Sequence, residues 1–368
     1  MTDTHPSRRD FLKSAALAVA GTPMLDTMLR DTNSLGDEKK LGFALVGLGS
    51  LSTNQIAPAL QKTKYCRLAG IVTGTPAKAA RWKERYGIPD SSIYNYDSME
   101  AMASNPDIDV LYVVTPNALH AEHTIKAVRA GKHVLCEKPM ETSVAKCEAM
   151  IAASRTAKKK LAIGYRCQFE PHHLECLRLA REKVFGDIKG IEGGFGFRIG
   201  DPTQWRLNGA LAGGGPLMDV GIYVVQSARM LTGWEPTSVS ATTTLTDPVK
   251  FKEVEETMTF QLRFPNGVVA DISTSYNANY NKFTAIAERG SFGMEPAYSY
   301  GGLRGFRSDG QPLRFDEPDH FATEMDDFAR CILDGKTSKV SGEEGLRDVK
   351  IMMALYESAR TNRPVKLS

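Results

Sequence analysis

A carboxylate and a phenol stand four residues apart in LMDVGIYVVQSARML, a segment whose composition otherwise indicates a buried helix. They are Asp219 and Tyr223, and this spacing brings two side chains onto one helical face. A phenol has an ordinary pKa of about 10, which a neighbouring cation lowers. Two interpretations are open: a helix cap beside a core tyrosine, or a pair that exchanges protons with a substrate hydroxyl.

A lysine at the end of a predicted strand could supply the cation. Lys138 follows the apolar run HVLC and lies between Glu137 and Pro139. The carboxyl ends of parallel strands border the ligand crevice of an open sheet, so we expect Lys138 at that crevice. A lysine there can hold a substrate hydroxyl and favour the ionised form of a nearby acid. We therefore predict Lys138, Asp219 and Tyr223 as catalytic residues, with Tyr223 taking a proton while hydride leaves the same carbon.

The segment FALVGLGSLSTNQIAPAL has the pattern of a strand, a glycine turn and a helix. Gly47 would allow the tight turn, and Gly49 would let a pyrophosphate approach the backbone beside the free N–H groups of the helix. Ser52 stands where the usual motif has a third glycine, but the segment opens a longer strand–helix series. We predict a dinucleotide site that includes Gly47, Leu48, Gly49, Ser50 and Leu51.

The end of the second predicted strand bears on the choice of dinucleotide. Sites for NAD usually place an acid there to bind the ribose hydroxyls. This chain has Thr73 and then Lys78 in IVTGTPAKAARWK, with no acid between them. A hydroxyl and an ammonium group suit a 2′-phosphate, so the residues favour NADP over NAD, although Lys78 could simply be a solvated helix residue.

The elements that must position these residues divide into two series. The apolar runs FALVGLG, RLAGIVTG, DVLYVVTP, HVLCEKP and LAIGYR alternate with helical patterns, which predicts a parallel sheet covered by helices on both faces. Beyond them, EETMTFQLRF and VVADISTSY flank PNG and predict a hairpin that turns at Asn266-Gly267. SVSATTTL and FTAIAERG are further strand candidates, and two late helices begin near Asp319 and Gly342.

We therefore predict an α/β Rossmann domain followed by an α+β domain with a large, open-faced, mostly antiparallel sheet. The predicted boundaries are residues 1–36 for a signal and linker, 37–163 for the NADP-binding domain and 164–368 for substrate binding and oligomerisation. A late helix is expected to pack back on the first domain. An exposed apolar sheet face would need a cover, which predicts a homodimer or a homotetramer.

The composition of the 368 residues excludes several classes of protein. The net charge is +3 with scattered Lys and Arg, which argues against nucleic acid as the main partner. No apolar run is long enough to span a bilayer. The six cysteines lack metal-type spacing, so we expect reduced, mostly buried thiols and no metal site.

The N-terminal segment SRRDFLKSAALAVAG carries paired Arg8 and Arg9, then Phe11, Leu12 and Lys13, ahead of a small apolar run. This pattern is typical of a twin-arginine export signal. It predicts a periplasmic protein and an interaction with the twin-arginine export machinery. That route carries folded proteins, which suits an enzyme that binds its cofactor before export.

Several stretches together resemble the Gfo/Idh/MocA oxidoreductase family over nearly all of the chain after the signal. They are VGLG, PNALHAEHTIKAVRAGKHVLCEKPM, IGYRCQFEP, QWRLNGALAGGGPLMDVGIY, VEETMTFQLRF and STSY. Many members have a histidine at the position of Tyr223. The periplasmic glucose–fructose oxidoreductases of this family have tyrosine there, and the chain resembles that group most.

The resemblance implies roles for individual residues. Lys138 and Asp219 would orient the substrate, and Tyr223 would be the acid and base. Tyr165 and Arg166 would lie beside the nicotinamide crevice, with Tyr165 and Tyr276 contacting substrate. The cofactor-binding residues would further include Thr115, Pro116, Asn117, His120, Glu137, Lys138, Arg166, Trp205 and Arg206. The loops FRIGDPTQWRL and EPAYSYGGLRGF either shape a sugar pocket or pack as ordinary loops.

The resemblance also implies an activity. We expect an NADP-dependent sugar oxidoreductase that oxidises an aldose at its anomeric carbon to a lactone and reduces a second sugar or carbonyl with tightly bound cofactor. The alternatives are an ordinary sugar dehydrogenase with exchangeable NAD(P) and a glycosidase that uses nicotinamide transiently. The presence of all three catalytic residues argues against a sugar-binding protein without redox activity.

Overall fold

The structure is a computed structural model that describes residues 40–316 and 318–367. The predicted signal and linker lie in the preceding residues, outside the described part of the chain. The predicted export route depends on those residues. No helix within the described residues is long and apolar enough to cross a membrane.

The first sheet has six parallel strands in the order β3-β2-β1-β4-β5-β6. In chain order the strands are β1 (Leu41–Val46), β2 (Cys66–Val72), β3 (Ile93–Tyr94), β4 (Val110–Val113), β5 (His133–Glu137) and β6 (Leu161–Gly164). All side chains of β1 and β4 are buried, because helices cover both faces of the sheet. The strand order reverses between β1 and β4, and this reversal opens a crevice at the carboxyl ends of the strands.

The helices of this part cover the sheet. Helix α1 begins with a π-helical turn, Ser52–Ile56, and continues as Ala57–Leu60; the others are α2 (Pro76–Tyr86), α3 (His120–Arg129) and α4 (Val144–Thr156). Helix α2 ends where Gly87 adopts a left-handed conformation, which stops the helix by satisfying its last carbonyl groups.

The second sheet has eight strands in the order β13-β12-β11-β7-β10-β9-β8-β14. Strands β7 and β10 are parallel, and the other neighbouring pairs are antiparallel. The strands are β7 (Ile188–Gly196), β8 (Ser238–Thr244), β9 (Thr257–Arg263), β10 (Val269–Ser275), β11 (Tyr280–Ala287), β12 (Gly290–Met294), β13 (Gly305–Arg307) and β14 (Val365–Lys366). The predicted fold class is thus confirmed, while the boundary at residues 163 and 164 stays a prediction.

Five further helices follow β6 in the described part of the chain. They are α5 (Pro171–Arg181), α6 (Gly209–Ala212), α7 (a π-helical turn, Leu217–Gly221, continued by Ile222–Thr232), α8 (His320–Leu333) and α9 (Gly342–Thr361). Helix α8 lies against the first sheet's helical layer, where Asp326 accepts hydrogen bonds from the backbone N–H groups of Lys64 and Tyr65. The late helix therefore packs on residues that precede β2.

The hairpin of β9 and β10 turns at Asn266-Gly267 as predicted, with Gly267 at φ +85°. Alternate residues of β9 face the core, and Met258, Phe260 and Leu262 are buried. The opposite face of the sheet carries mainly polar side chains: Glu192, Thr242, Thr259, Gln261, Asp271, Ser273, Tyr280, Lys282 and Thr284. The expectation of an apolar open face is therefore wrong, because strand alternation leaves polar residues outward.

None of the six cysteines is in a disulfide, and five of them are buried, with Cys331 half-buried. Within the described residues, no group of His, Cys, Asp and Glu is arranged to hold a metal ion.

Candidate active site

A cleft of about 480 Å³ lies at the carboxyl ends of β1, β2, β4 and β5 and beside the start of α7. The predicted site residues that line it are Gly47, Leu48, Gly49, Ser50, Leu51, Thr73, Lys78, Thr115, Pro116, Asn117, His120, Glu137, Lys138, Trp205, Arg206, Asp219 and Tyr223. It is also lined by Gly74, Thr75, Tyr96, Val114, Tyr300 and Phe321, which we did not predict as site residues. Residues from both halves of the chain thus face one cavity.

The glycine turn after β1 has the geometry that a bound dinucleotide needs. Gly47 has φ +93°, and a Cβ there would lie 2.9 Å from the carbonyl oxygen of Val114. A Cβ on Gly49 would meet nothing within 4 Å, so the backbone is open towards the cleft. Ser52 takes the place of the third glycine, and its hydroxyl donates to the Gly47 carbonyl at 2.6 Å. The turn and the helix start that follows it fit a pyrophosphate.

The end of β2 forms the part of the cleft where the adenosine ribose of a dinucleotide is expected. Among the described residues that line it, none of Thr73, Gly74, Thr75, Lys78 or Tyr96 is acidic. The backbone N–H of Thr75 donates to the Thr73 hydroxyl at 3.2 Å. Lys78 is half-buried and forms no ion pair with any described residue, so its ammonium group is free to bind an anion.

The ring of Tyr96 lies parallel to that of His123, with 5.0 Å between the ring centres and 17° between the planes. Sequence reasoning missed Tyr96 because it stands in the polar stretch YNYDS, which has no helical or strand periodicity.

Several predicted cofactor residues also hold the cleft wall together. The two ring nitrogens of His120 lie 2.8 Å from the carbonyl oxygen of Thr115 and 2.9 Å from that of Pro139. The side-chain amide of Asn117 donates to the Ala212 carbonyl at 2.9 Å. These contacts join the ends of β4 and β5 to the loop before α7.

Lys138 and Asp219 meet in the cleft although 81 residues separate them. The Lys138 ammonium nitrogen lies 3.6 Å from the Asp219 carboxylate and donates to the Asp219 backbone carbonyl at 2.7 Å. The same nitrogen lies 4.7 Å from the centre of the Tyr223 ring, within the range of a cation–π interaction. The structure therefore brings together the three residues predicted to be catalytic.

The carboxylate of Asp219 is held by further donors. Arg206 donates to its Oδ2 atom at 2.8 Å and the hydroxyl of Tyr276 donates to the same oxygen at 3.1 Å. Burial would raise the pKa of Asp219, but the charges of Arg206 and Lys138, with these hydrogen bonds, lower that pKa to about 2. Asp219 is therefore an ionised acceptor at neutral pH.

A different acid caps the start of α7. Glu255 accepts hydrogen bonds from the backbone N–H groups of Gly215 at 2.8 Å and Leu217 at 3.1 Å. The hydroxyl of Tyr356 donates to Glu255 at 2.9 Å. Because the helix cap is Glu255, the interpretation of Asp219 as a capping residue is wrong.

The glycine run before α7 is closely packed. A Cβ on Gly213 would lie 2.3 Å from the Thr142 side chain, and one on Gly214 would lie 2.0 Å from the Tyr356 hydroxyl. Both glycines also have positive φ, +74° and +156°. The run therefore fixes the position from which Asp219 reaches the cleft.

Tyr223 is 9% exposed, and its hydroxyl accepts a hydrogen bond of 3.2 Å from Nε of Arg166. Burial raises the pKa of Tyr223, and the Arg166 charge offsets only part of this rise. We expected neighbouring cations to make the phenolate more accessible. In the protein alone burial outweighs them, and Tyr223 is a neutral phenol at pH 7.

Three predicted site residues do not line the cleft. Arg166 lies behind Tyr223, where its guanidinium also donates to the carbonyl groups of Tyr298 and Ser299. Tyr165 is buried and does not line the cleft, and the charge of Asp348 on α9 adds to burial in raising the pKa of its hydroxyl. Tyr276 packs in a small apolar cluster and reaches the cleft only through its bond to Asp219.

The fold and this cleft define a two-sheet oxidoreductase with a Rossmann-type dinucleotide site. The oxidoreductase family model with an NAD-binding Rossmann fold matches residues 41–165, and the GFO/IDH/MocA C-terminal domain model matches residues 173–293. The chain belongs to the Gfo/Idh/MocA oxidoreductase family, as its sequence motifs indicated.

Individual relatives act on sugars. The D-xylose 1-dehydrogenase [NADP(+)] of Haloarcula marismortui is 30% identical over 88% of this chain and 92% of its own length. The D-xylose 1-dehydrogenase (NADP(+)) 2 of Haloferax volcanii is 29% identical over 88% of this chain and 99% of its own. The crystal structure of an aldose–aldose oxidoreductase from Caulobacter crescentus, complexed with glycerol, superimposes with a TM-score of 0.87. It is 43% identical and covers 89% of this chain and 100% of that one.

Proposed function

We propose that the protein is an NADP-dependent oxidoreductase that oxidises an aldose at its anomeric carbon to a lactone and passes the hydride to a second sugar or carbonyl. The observation that carries this proposal is the position of Lys138, Asp219 and Tyr223 in one cleft with the glycine turn at Gly47. The similarity to two xylose dehydrogenases and to an aldose–aldose oxidoreductase supports an aldose as substrate.

The chain's own residues would orient the sugar and move its proton. Lys138 would donate to the hydroxyl of the reacting carbon, since its ammonium lies over the Tyr223 ring. Asp219 has two donors on Oδ2, and its Oδ1 atom faces Lys138 at 3.6 Å, which leaves Oδ1 to accept from a second sugar hydroxyl. Tyr223 in its phenolate form would take the proton from the reacting hydroxyl, and as the neutral phenol it would give a proton when a carbonyl is reduced.

The cofactor that these residues fit is a nicotinamide dinucleotide, and we propose NADP. Bound NADP would supply the hydride acceptor. Gly47, Gly49 and the start of α1 would hold the pyrophosphate, and Thr73 with Lys78, which pairs with no described acid, would hold the 2′-phosphate. Both dehydrogenase relatives are named for NADP(+), which supports this choice.

Nucleotide retention and exchange test the two-sugar cycle. Protein purified without added nucleotide should carry NADP through extensive dialysis, and should convert one aldose to lactone while reducing another without free cofactor. Protein that emerges without nucleotide, and oxidises an aldose only when NADP or NAD is supplied, would instead be an ordinary dehydrogenase. Release of sugar from an aryl glycoside, with no net redox change, would indicate a glycosidase and contradict the proposal.

Two further proposals concern where the protein works and in what form. We propose export to the periplasm by the twin-arginine route, which the Arg8-Arg9 pattern supports. Replacing both arginines with lysine should leave active protein in the cytoplasm, and unchanged periplasmic activity would contradict this.

We also propose a homodimer or homotetramer; light scattering that gives the mass of a single 40.3 kDa chain would contradict it.

A further inference from the structure

Two carboxyl groups and one phenol form a buried cluster beneath the cleft floor. Glu137 at the end of β5 lines the cleft, while Glu324 on α8 and Tyr112 on β4 have no exposed surface. The Tyr112 hydroxyl oxygen lies 2.8 Å from Oε1 of Glu137 and 3.4 Å from Oε2 of Glu324. The phenol therefore bridges a carboxyl group at the cleft and one in the core.

The number of available hydrogens limits how this cluster can be charged. Tyr112 has one hydroxyl hydrogen, and the shorter contact, to Glu137, uses it. The contact with Glu324 needs another hydrogen, because two oxygens without a hydrogen between them repel. The other carboxyl oxygen of Glu324, Oε1, has no hydrogen-bond partner among the described residues. A buried carboxylate without partners is strongly unfavourable, so Glu324 must hold its own proton.

The cations that face Glu324 are bound to other groups. Arg166 donates to the Tyr223 hydroxyl and to the carbonyl oxygens of Tyr298 and Ser299. The ammonium group of Lys339 donates to the Gln168 carbonyl at 2.7 Å, and it lies 4.0 Å from the centre of the Phe169 ring. Neither cation forms an ion pair with Glu324 in the described part of the chain, which leaves protonation as the way to neutralise it.

The directions of the pKa shifts agree with this assignment. Burial raises the pKa of Glu324 well above its ordinary value, and the charge of Glu137 raises it further. Arg166 and the contact with Tyr112 oppose that rise, and Cys167 adds to it. Burial also raises the pKa of Glu137 above its ordinary value, but Lys138, the hydrogen bond from Tyr112 and Arg166 each offset part of this rise. Of the two carboxyl groups, Glu324 therefore keeps its proton to higher pH.

We propose that protonated Glu324 donates a hydrogen bond to the Tyr112 oxygen and that Tyr112 donates one to ionised Glu137. The three side chains then carry one negative charge, which lies on Glu137 at the cleft floor and opposes loss of the Tyr223 proton. Glu324 is then a positioning residue that acts through Tyr112 and Glu137. The last part rests on the proposed function of Tyr223 as the base. Arg166 and Lys138 face Tyr223 with the opposite charge. Its other titratable neighbours are Cys167, Tyr112, Tyr298 and Tyr300.

Infrared spectroscopy of the protein as purified tests the location of the proton. Near neutral pH the difference between wild type and Glu324→Gln should contain the carbonyl-stretch band of one protonated carboxylic acid. The difference between wild type and Glu137→Gln should contain a carboxylate band instead. Tyr112→Phe keeps the ring but removes the bridge, and should shift the Glu324 band. A carboxylate band in the Glu324→Gln difference, or no shift in Tyr112→Phe, would overturn the proposal.

The pH dependence of kcat/KM for sugar oxidation tests the effect on Tyr223. Glu324→Gln exchanges one neutral group for another, so the rising limb should stay at the same pH. Glu137→Gln removes the charge and should move the limb down by about one pH unit, a roughly tenfold change at a fixed pH below the limb. A downward shift in Glu324→Gln as large as that in Glu137→Gln would overturn the proposal. If the wild type oxidises no sugar, the proposed function fails, and the infrared result still tests where the protons of Glu324, Tyr112 and Glu137 lie.

Discussion

Nε of Arg166 donates a hydrogen bond of 3.2 Å to the hydroxyl of Tyr223, and both side chains are buried, with Arg166 behind the ring that lines the cleft. This contact places a permanent positive charge against the proposed base. Burial raises the pKa of Tyr223, and Arg166 is the strongest influence that lowers it. The pH at which Tyr223 can accept a proton therefore depends on an arginine that does not line the cleft.

Replacing Arg166 with methionine should move the rising limb of kcat/KM for oxidation to higher pH. Its positive charge lowers the pKa of Tyr223, so its removal raises that pKa and leaves less phenolate at neutral pH. A hydrogen bond to a charged group contributes about 1.5–3 kcal/mol, which corresponds to a shift of about one to two pH units. Arg166→Lys keeps the charge and should shift the limb less. Equal limbs in all three proteins, each with native circular dichroism, would contradict this role.

Replacing Tyr223 with phenylalanine should lower kcat for oxidation by roughly 10²–10⁴-fold, which is the usual contribution of a positioned acid or base. Fluorescence titration should show NADP binding with an unchanged Kd, since the aromatic ring remains. Tyr280→Phe makes the same change on the outer face of the second sheet, where that hydroxyl lies 2.9 Å from Ser273, and serves as the control. Comparable turnover in Tyr223→Phe and Tyr280→Phe would remove Tyr223 from the mechanism.

Replacing Lys78 with alanine should raise the Kd for NADP by about 10–100-fold and leave the Kd for NAD nearly unchanged. The basis is the loss of a charge-assisted bond to the 2′-phosphate, which only NADP carries. Lys83→Ala is a matched control on the same helix, because Lys83 pairs with Asp90 at 2.7 Å and does not line the cleft. Isothermal titration gives both constants. Equal effects on NADP and NAD would show that Lys78 does not select the cofactor.

Acid should destabilise the protein partly through His123. Burial lowers the pKa of His123 from 6.5 to about 4, so the folded protein keeps it neutral where the unfolded chain protonates it. This contribution to stability is complete above about pH 6.5 and is lost as the pH falls towards about 4. His123→Gln cannot titrate, so its free energy of unfolding, from urea denaturation, should fall less between neutral pH and about pH 4.5. A fall equal to that of wild type would contradict this assignment.

The sequence predicted those parts of the fold whose burial leaves a regular pattern. Strands β1 and β4 are covered on both faces and appear as continuous apolar runs, and β9 alternates because one of its faces is outward. Strand β3 was missed because two residues, Ile93 and Tyr94, are too few to show a period. The outward face of the second sheet was expected to be apolar, although Thr259 and Gln261 already alternate with the core residues.

The candidate site was predictable where topology alone positions a residue. Gly47 and Lys138 follow strands whose carboxyl ends meet at the crevice, and Tyr223 lies one turn beyond Asp219. The cap at Glu255 and the contact of Arg166 with Tyr223 join residues 38 and 57 positions apart through tertiary packing, which no local pattern records. For the same reason Tyr165 was expected at the cleft, whereas its side chain faces α9.

The most direct test of the proposed reaction follows a single hydride. The protein is incubated with NADP and an aldose carrying deuterium at the anomeric carbon, and the nucleotide and sugar are analysed by mass spectrometry. The proposal predicts one deuterium on the nicotinamide ring and an unlabelled lactone, with transfer nearly absent in Tyr223→Phe. Deuterium that stays on the sugar, or transfer at the same rate in Tyr223→Phe, would contradict the proposed chemistry of Lys138, Asp219 and Tyr223.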